Sequence, residues 1–296
     1  MSWIERKHLE EALCKGSLVL EISPALLLND DEHQLTPLIS TIPTAHCRED
    51  VTVIIPTHRR IPVGLNRFLE QSTNVWVLQN GTVEQRFPSH ENLTVSMVDW
   101  KGHGKTRSEA VQRVKTPYVF FSVDDAIPLG NCLQYLIEEL ETGNWDAVVA
   151  RQIPMPTADL FTRDQLSKWT PHQATPYALS QCDHVGSLYR TQTLNEYPIP
   201  DVPIAEDAWW SKDKQIACVP KAVLVHSHPR HTIEVMRREF AIHRQLKQME
   251  SSKVSNHRLS ISDVVLSGLS ALPKYGVREA IRTTGQNLSR FAAHKL

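Results

Sequence analysis

Several features that mark common protein classes are missing from this sequence of 296 residues. The formal net charge is −1, so no excess of one sign would draw the chain to nucleic acid. No apolar run reaches the roughly 20 residues that cross a bilayer, and the opening MSWIERKHLEEALCKG lacks an apolar signal core. The five cysteines form no C-x-x-C pair, and their odd number and wide spacing are typical of free thiols. We expect a cytoplasmic protein that binds no nucleic acid.

What the sequence does contain is an alternation of strand-like and helical segments. The runs VTVIIP, VWVLQNG, LTVSMVDW, PYVFFSVDD, WDAVVA and VLVH are strand-like, and GKTRSEAVQRVK and NCLQYLIEELETG have helical spacing. This alternation predicts an α/β fold with a mostly parallel central sheet and flanking helices. We divide the chain into an N-terminal extension (1–50), the α/β domain (51–228) and a C-terminal helical region (229–296).

Two adjacent carboxylates, Asp124 and Asp125, end the apolar strand in YVFFSVDDAIP. Neighbouring like charges repel, and a cation shared with a ligand would relieve the repulsion. The carboxyl ends of strands are also where ligands bind in parallel α/β sheets. A solvated turn is the alternative, because Asp is common where strands end.

A second acidic pair, Glu206 and Asp207, precedes Trp209 and Trp210 in IAEDAWW. A carboxylate beside aromatic walls can act as a general base, since partial desolvation raises its pKa. Aromatic faces also pack against sugar rings. The alternative is a helix N-terminus, where acidic residues favour the helix dipole and the Trp pair belongs to the core.

Two histidines, His226 and His228, follow an apolar run in VLVHSHPRH. In an extended backbone, side chains two residues apart project to the same face and can reach one cation. Imidazole and carboxylate ligands do not select one ion, so Mg²⁺ and Mn²⁺ both suit the site. Core or surface histidines without a ligand are the alternative.

Basic residues follow the first strand, at Arg59 and Arg60, and open a helix in GHGKTRSEA, at Lys105 and Arg107. Helix N-termini and arginine side chains both suit a diphosphate. The glycine spacing fits neither the P-loop nor the dinucleotide fingerprint. A solvated helix face is the alternative.

Taken in order, VTVIIPTHRR, VWVLQNGT, GKTRSEAVQRVKTPYVFFSVDDAIP and AEDAWW resemble glycosyltransferase family 2, whose members have the GT-A fold. The resemblance covers about residues 51–228. The segments VVARQIPMP, DHVGSLYRTQTLNEYPIPDVPIAEDAWW and VLVHSHPRHTIEVMRREF look like the bacterial polysaccharide rhamnosyltransferase branch of that family. The sequence departs from the family pattern at Gln79, where an acidic residue is usual, and at Val123, which replaces the first carboxylate of the metal motif.

The resemblance implies an inverting, metal-dependent transfer from a nucleoside-diphosphate sugar to a glycan or lipid-linked acceptor in surface polysaccharide synthesis. It implies that Asp207 is the base and that Glu206 orients the acceptor or a neighbouring basic group. It implies Mg²⁺ or Mn²⁺ on Asp125 with His226 or His228. The implied acceptor contacts are Arg151, Gln152, Trp209 and Trp210. The implied donor contacts are Pro56, Thr57, Arg59, Gln79, Asn80, Lys105, Arg107 and Asp124.

Two other functions remain open at this point. A sugar nucleotidyltransferase would share the sheet and a metal carboxylate, although PTHRRIPVG is not the glycine-rich loop that such enzymes carry after the first strand. A non-catalytic relative that binds a glycan would explain the departures at Gln79 and Val123. The C-terminal helices are expected to pair subunits, cover the donor or lie on a membrane surface, with a solvated helix face as the alternative.

Overall fold

The computed structural model describes residues 20–21, 38–39, 48–83, 86–155, 158, 160–171, 173–226, 232–250 and 261–295. Most of the predicted N-terminal extension and the metal candidate His228 lie outside these residues. A short antiparallel pair, β1 (Leu20–Glu21) and β2 (Leu38–Ile39), precedes the central sheet.

The central sheet contains nine strands within the described residues. Their bounds are β3 (Arg48–His58), β4 (Ser72–Asn80), β5 (Leu93–Met97), β6 (Tyr118–Ser122), β7 (Ala126–Leu129), β8 (Ala147–Ile153), β9 (Tyr177–Leu179), β10 (Gly186–Arg190) and β11 (Ile216–His226). The spatial order is β5-β4-β3-β6-β10-β8-β11-β7, and β9 pairs with β11 beside this path.

Most strands of this sheet point the same way. Pairings β3–β4, β4–β5, β3–β6 and β8–β11 are parallel, whereas β10 is antiparallel to both β6 and β8. Strands β7 and β9 run antiparallel to β11. Six strands therefore share one direction, which confirms the predicted mostly parallel sheet. The three reversed strands were not predicted.

Helices cover both faces of the sheet because the strands are apolar on both sides. The described helices of the α/β part are α1 (Leu65–Gln71), α2 (His103–Val111), α3 (Cys132–Thr142), α4 (Leu160–Trp169), α5 (Thr191–Glu196) and α6 (Glu206–Trp210). Val53 and Phe120 belong to the core that includes residues of α1 and α3. Their neighbours Ile54 and Phe121 belong to the opposite core, with Tyr189 and Trp210. Successive strand residues thus serve opposite faces.

Three helices follow the sheet: α7 (Thr232–Glu250), α8 (Ile261–Tyr275) and α9 (Val277–Lys295). Side chains tie them together, since Arg290 Nε donates to Glu239 Oε2 at 2.8 Å and Asn287 Nδ2 donates to Ser267 Oγ at 2.7 Å. Among the described helices, none is both long enough and apolar enough to span a bilayer.

Candidate active site

The carboxyl ends of the parallel strands bring most candidate residues to one edge of the sheet. Strand β3 ends with Thr57 and His58, β6 is followed by Asp124 and Asp125, and β11 ends at His226. The antiparallel strand β10 has the reverse direction, and its register pairs Gly186 with Ser122. Residues that precede β10 therefore reach the same edge as residues that follow β6.

Asp124 is held by the loop that follows β3. Its Oδ1 accepts a short hydrogen bond from Arg60 Nη2. The Thr57 hydroxyl lies 2.9 Å from Asp124 Oδ2 and 2.8 Å from the Arg60 carbonyl oxygen, so its one hydrogen is shared between two acceptors. Arg60 also lies 3.8 Å from Asp125 Oδ2, with its side chain about half exposed. This arginine, rather than Arg59, neutralises the acidic pair.

Asp125 and His226 meet across the sheet edge, with His226 Nε2 3.4 Å from Asp125 Oδ1. Strand β7 explains the meeting, because it begins one residue after Asp125 and pairs Ala126 with His226. On the other side of the ring, His226 Nδ1 lies 3.0 Å from Gln152 Oε1. The imidazole is therefore held between an amide oxygen and a carboxylate.

These donors fit a divalent cation. Within the described ranges, no group of three or more His, Cys, Asp or Glu side chains is arranged to hold a metal ion. Asp125 and His226 supply two donors, and adjacent ligands of an octahedral ion lie about 3 Å apart, close to the observed 3.4 Å. Mg²⁺ sites commonly use one or two protein ligands and complete the shell with substrate phosphates and water.

Gln152 connects this pair to the segment before β10. Its Nε2 donates to Asp183 Oδ2 at 2.8 Å, and Asp183 Oδ1 accepts from the Val185 backbone N–H at 3.0 Å. The backbone of Gln152 is fixed by Thr170, whose hydroxyl accepts from the Gln152 N–H and donates to its carbonyl, each at 3.1 Å. Gln152 is 3% exposed, so these bonds are shielded from water.

Glu206, the first residue of α6, is buried between two basic side chains. Arg107 Nη1 donates to Glu206 Oε1 at 2.8 Å, and His184 Nδ1 lies 3.3 Å from the same oxygen. Burial alone would raise the pKa of Glu206, but the His184 hydrogen bond and the charges of His184 and Arg107 lower it to about 2. Burial alone would lower the pKa of His184, but Cys182 and Glu206 raise it to about 9.

This buried ion pair depends on the close approach of α2 to the chain before α6. A Cβ at Gly104 would lie 2.1 Å from the Pro200 carbonyl oxygen and 3.2 Å from Glu206 Cβ. Only glycine allows this approach, which brings Arg107, one turn later, to Glu206.

Asp207 has the opposite electrostatic environment to its neighbour Glu206. The pKa of Asp207 is raised to about 6, and burial is the largest cause. The negative charges of Asp183 and Glu206 also raise this pKa, whereas the positive charge of His184 lowers it. Its Oδ1 accepts from the Ala208 backbone N–H at 2.8 Å. Ala205, just before α6, has a left-handed φ of 62°. Two adjacent carboxylates with pKa values driven apart are a typical basis for separate catalytic roles.

The segment Cys182–His184 links the two acidic centres. Cys182 N–H donates to Ser211 Oγ at 2.8 Å, at the end of α6, and Ser211 Oγ lies 2.6 Å from the Asp207 carbonyl oxygen. Asp183 reaches Gln152, and His184 reaches Glu206. Sequence reasoning missed Asp183 and His184, although two adjacent titratable residues were a signal for them.

The remaining donor candidates lie near the ends of β3 and β4 and the start of α2. Arg59 has a left-handed φ of 55°, and its side chain lies over Gly81. Gln79 is buried and donates to the Gly81 carbonyl at 2.8 Å. Pro56 pairs in register with Leu78, and Asn80 O accepts from Arg59 N–H at 3.1 Å.

Lys105 differs from these residues because it lies at the surface. Its Nζ is 3.3 Å from Asp201 Oδ2, and both side chains are about half exposed or more. Arg107, predicted with it as a donor contact, is instead buried on Glu206, and its guanidinium carbon lies 5.8 Å from the centre of the Phe121 ring.

The four acceptor candidates occupy different environments. Trp210 is 4% exposed, donates from Nε1 to the Tyr197 carbonyl at 2.7 Å and packs edge-on against Tyr189, which fits the core alternative for this residue. Trp209 is half-buried. Arg151 is buried, and its Nε lies 3.4 Å from the Thr170 carbonyl oxygen. Gln152 faces His226, as described above.

The sequence matches no family model and no curated protein. The structure does match solved structures. The mannosyltransferase PcManGT from Pyrobaculum calidifontis, solved with GDP-Man and Mn²⁺, has a TM-score of 0.54 at 13% identity, over 85% of this chain and 74% of that chain. This chain has the GT-A fold.

Two looser likenesses have TM-scores below 0.5. The TarS 1–349 structure from S. aureus, in complex with UDP-GlcNAc, gives 0.44 at 14% identity over 83% of this chain and 92% of that chain. GalNAc-T7 with UDP, GalNAc and Mn²⁺ gives 0.46 at 10% identity over 66% of this chain. The match spans 47% of the GalNAc-T7 chain, about half of its length.

Proposed function

We propose that this protein is an inverting, metal-dependent glycosyltransferase. It transfers a hexosyl or deoxyhexosyl group from a nucleoside-diphosphate sugar to a hydroxyl of a glycan or lipid-linked acceptor. The observation that carries the proposal is that the segment Cys182–His184 touches both acidic centres. Asp183 is hydrogen-bonded to Gln152, the partner of His226, while Cys182 bonds Ser211 at the end of α6 and His184 contacts Glu206. A donor bound across this edge would lie between a cation and a base.

The donor end of the proposed site uses the carboxyl ends of β3, β4 and β6. Asp125 and His226 would hold Mg²⁺ or Mn²⁺, and His228 is a further candidate ligand. When bound, the cation would stabilise negative charge on the departing diphosphate. Arg60, half exposed beside Asp124 and Asp125, is proposed to add positive charge near the diphosphate.

The nucleoside is proposed to lie beside Pro56, Thr57, Arg59, Gln79 and Asn80. Lys105, half exposed at the start of α2, is proposed to add charge near the diphosphate. Arg107 acts through Glu206 in this proposal, because its guanidinium is buried on that carboxylate.

Asp207 is proposed to act as the general base. Its carboxylate takes the proton of the acceptor hydroxyl while that oxygen attacks the anomeric carbon. The bond from the anomeric carbon to the diphosphate oxygen breaks, and its electron pair leaves with the nucleoside diphosphate. This single displacement inverts the configuration. A pKa of about 6 leaves Asp207 mostly ionised at pH 7 and more basic than an ordinary carboxylate.

The acceptor is proposed to bind near α6, with Trp209 as an aromatic wall and Arg151 as a contact to polar groups. The likeness of RQIP, AEDAWW and HSHPRH to the rhamnosyltransferase branch supports a role in bacterial surface polysaccharide synthesis. Trp210 supports the site from the core, since it is buried.

We propose that the protein acts at the cytoplasmic face of the membrane, where it would meet a lipid-linked acceptor. The three described cysteines, Cys132, Cys182 and Cys218, are free thiols, which fits a reducing compartment. Helices α8 and α9 expose apolar side chains, which supports a contact with a membrane surface or with a second copy. These side chains are Val265, Leu266, Leu269, Leu272, Val277, Ile281 and Leu288.

The test is a panel of nucleoside-diphosphate sugars, screened with Mn²⁺ for a rise in melting temperature and then for turnover with glycan acceptors. Ligand that binds only the native state raises the melting temperature. Release of nucleoside diphosphate supports the proposal, whereas release of pyrophosphate would identify a sugar nucleotidyltransferase. Metal-dependent nucleotide binding without donor hydrolysis or transfer would instead indicate a non-catalytic relative.

A further inference from the structure

We infer that Gln152 and Asp183 form a relay that sets the tautomer and orientation of His226, and that Gln152 is a positioning residue rather than an acceptor contact. The inference rests on the proposed function for its purpose, because the relay would present His226 Nε2 to a cation beside Asp125. The relay itself is defined by contacts in the chain and can be tested without any turnover.

The relay begins at Asp183, whose carboxylate is fixed by its own turn. Oδ1 accepts from the Val185 N–H at 3.0 Å, and the Asp183 carbonyl oxygen accepts a short bond from the Ser187 hydroxyl. Oδ2 remains directed at the Gln152 side chain, 2.8 Å from Nε2. An ionised carboxylate only accepts hydrogen bonds, so it selects the amide nitrogen of Gln152.

The next step is the orientation of the Gln152 amide. With its nitrogen bound to Asp183, its oxygen must point away, and Oε1 lies 3.0 Å from His226 Nδ1. The Thr170 hydroxyl holds both backbone groups of Gln152, so the side chain starts from a fixed point. Gln152 and Thr170 are 3% and 0% exposed, and water therefore does not compete for these bonds.

The last step is the position of the proton on His226. An amide oxygen accepts, so Nδ1 carries a hydrogen, and the ring is turned so that Nε2 faces Asp125 Oδ1 at 3.4 Å. Nε2 and the carboxylate therefore face one shared position, which a cation or a proton can occupy. Partners that fix the tautomer of a histidine ligand in this way commonly change metal affinity by about 10- to 100-fold when they are lost.

The relay also explains why position 152 carries an amide. A carboxylate there would lose the hydrogen bond to Asp183 and place a third negative charge near Asp125 and Asp183. It would also stabilise the protonated ring, which cannot bind a metal. Only a side chain that donates at one end and accepts at the other satisfies both neighbours.

The first experiment measures the tautomer directly. The full chain is labelled with ¹⁵N-histidine, and long-range ¹H–¹⁵N correlation spectra are recorded with saturating Mg²⁺, which is diamagnetic. His226→Gln assigns the signals. We expect the Nδ1–H tautomer in the wild type and its loss in Gln152→Met. A dominant Nε2–H tautomer in the wild type, or an unchanged tautomer in the variant, would overturn the inference.

The second experiment measures Mn²⁺ binding by calorimetry. Gln152→Met and Gln152→Glu are expected to weaken the Mn²⁺ affinity about 10- to 100-fold. Adding Asp183→Asn to Gln152→Glu moves the carboxylate to position 152 and the amide to position 183, which restores a donor between them. This double variant restores the hydrogen bond between positions 152 and 183 but keeps a carboxylate beside His226, so it should regain part of the affinity lost in Gln152→Glu. An affinity no higher than that of Gln152→Glu would contradict the role of the bond to Asp183.

A matched control is Gln192→Met, because Gln192 is exposed on α5 and its Nε2 donates to Glu196 Oε1, one turn away, at 2.7 Å. It should leave both the tautomer and the Mn²⁺ affinity unchanged. If the protein transfers no sugar, the tautomer of His226 and the rescue of the Mn²⁺ affinity still show whether the relay exists. If transfer is found while Gln152→Met keeps the wild-type tautomer, the relay fails and the proposed function stands.

Discussion

Replacing Asp207 with asparagine should remove activity and increase stability at the same time. A half-buried carboxylate whose pKa is raised from 3.8 to about 6 is held in a place that disfavours its charge. Between about pH 4 and pH 6 the folded protein binds more protons than the unfolded chain, so the free energy of unfolding falls as pH rises across this window. Above pH 6 the full cost of the charge remains, and Asp207→Asn removes it.

The size of the effect follows from the shift. One pKa unit corresponds to about 1.4 kcal/mol, so a shift of about two units gives an upper value near 3 kcal/mol. Asp207 is half-buried and its neighbours relax, and we expect a gain of about 1–3 kcal/mol at pH 8 and almost none at pH 4. The Ala208 N–H still finds an oxygen in the asparagine. Loss of the base should lower turnover by about two to four orders of magnitude.

The assay is denaturant unfolding of both proteins from pH 4 to pH 8, together with the pH profile of turnover, which should rise through about pH 6 in the wild type. Asp213→Asn is the control, since Asp213 is exposed and has a left-handed φ of 61° that asparagine also adopts. The control should keep both activity and the wild-type pH dependence. Equal stability of Asp207→Asn and wild type at every pH would refute the burial argument, and near-normal turnover would refute the base.

Three further predictions concern the surroundings of this site. Arg107→Met removes one of the two basic partners of Glu206 and should lower the free energy of unfolding by about 3–5 kcal/mol in chemical unfolding. Lys105→Met, at a half-exposed pair, should lower it by less than about 1 kcal/mol, and equal losses would contradict a buried ion pair at Arg107. Gly104→Ala forces a Cβ into the Pro200 carbonyl and should cost about 1–3 kcal/mol or prevent folding, so an unchanged melting temperature would contradict the close packing. Leu269→Glu, on the exposed apolar face of α8, should leave the melting temperature unchanged. It should reduce vesicle binding or self-association, both measured by sedimentation. If the wild type shows neither vesicle binding nor self-association, the proposed contact is wrong.

The parts of the fold that were predictable share one property, which is that they depend on local pattern. The six strands that share a direction were all predicted, because apolar β-branched runs such as Val51–Ile55 are buried on both faces. Strand β10 was missed because GSLYR is short and contains Gly and Ser, and it forms only between β6 and β8. Burial supplied by two neighbours, rather than its own propensity, makes it a strand.

The candidate site shows the same division. The residue patterns indicated Asp125, Asp207 and His226 as candidates, and the resemblance to the glycosyltransferase family joined them in one site. The resemblance implied a donor contact at Arg107 and an acceptor contact at Trp210. In the fold Arg107 is an internal ion-pair partner of Glu206, and Trp210 lies in the core, as the alternative interpretation of the Trp pair predicted. Asp183 and His184 gained importance only through the register of β10 against β6.

The sequence by itself determined the alternating layers and the parallel strands, because hydrophobic periodicity acts over a few residues and needs no distant partner. Only the tertiary structure decided that the pKa of Glu206 is lowered, that the pKa of Asp207 is raised and that His184 faces Glu206. Glu206 and Asp207 are adjacent in the chain, yet their pKa values are about 2 and about 6. That difference arises from burial and from Arg107, His184 and Asp183, which folding brings together from distant parts of the sequence.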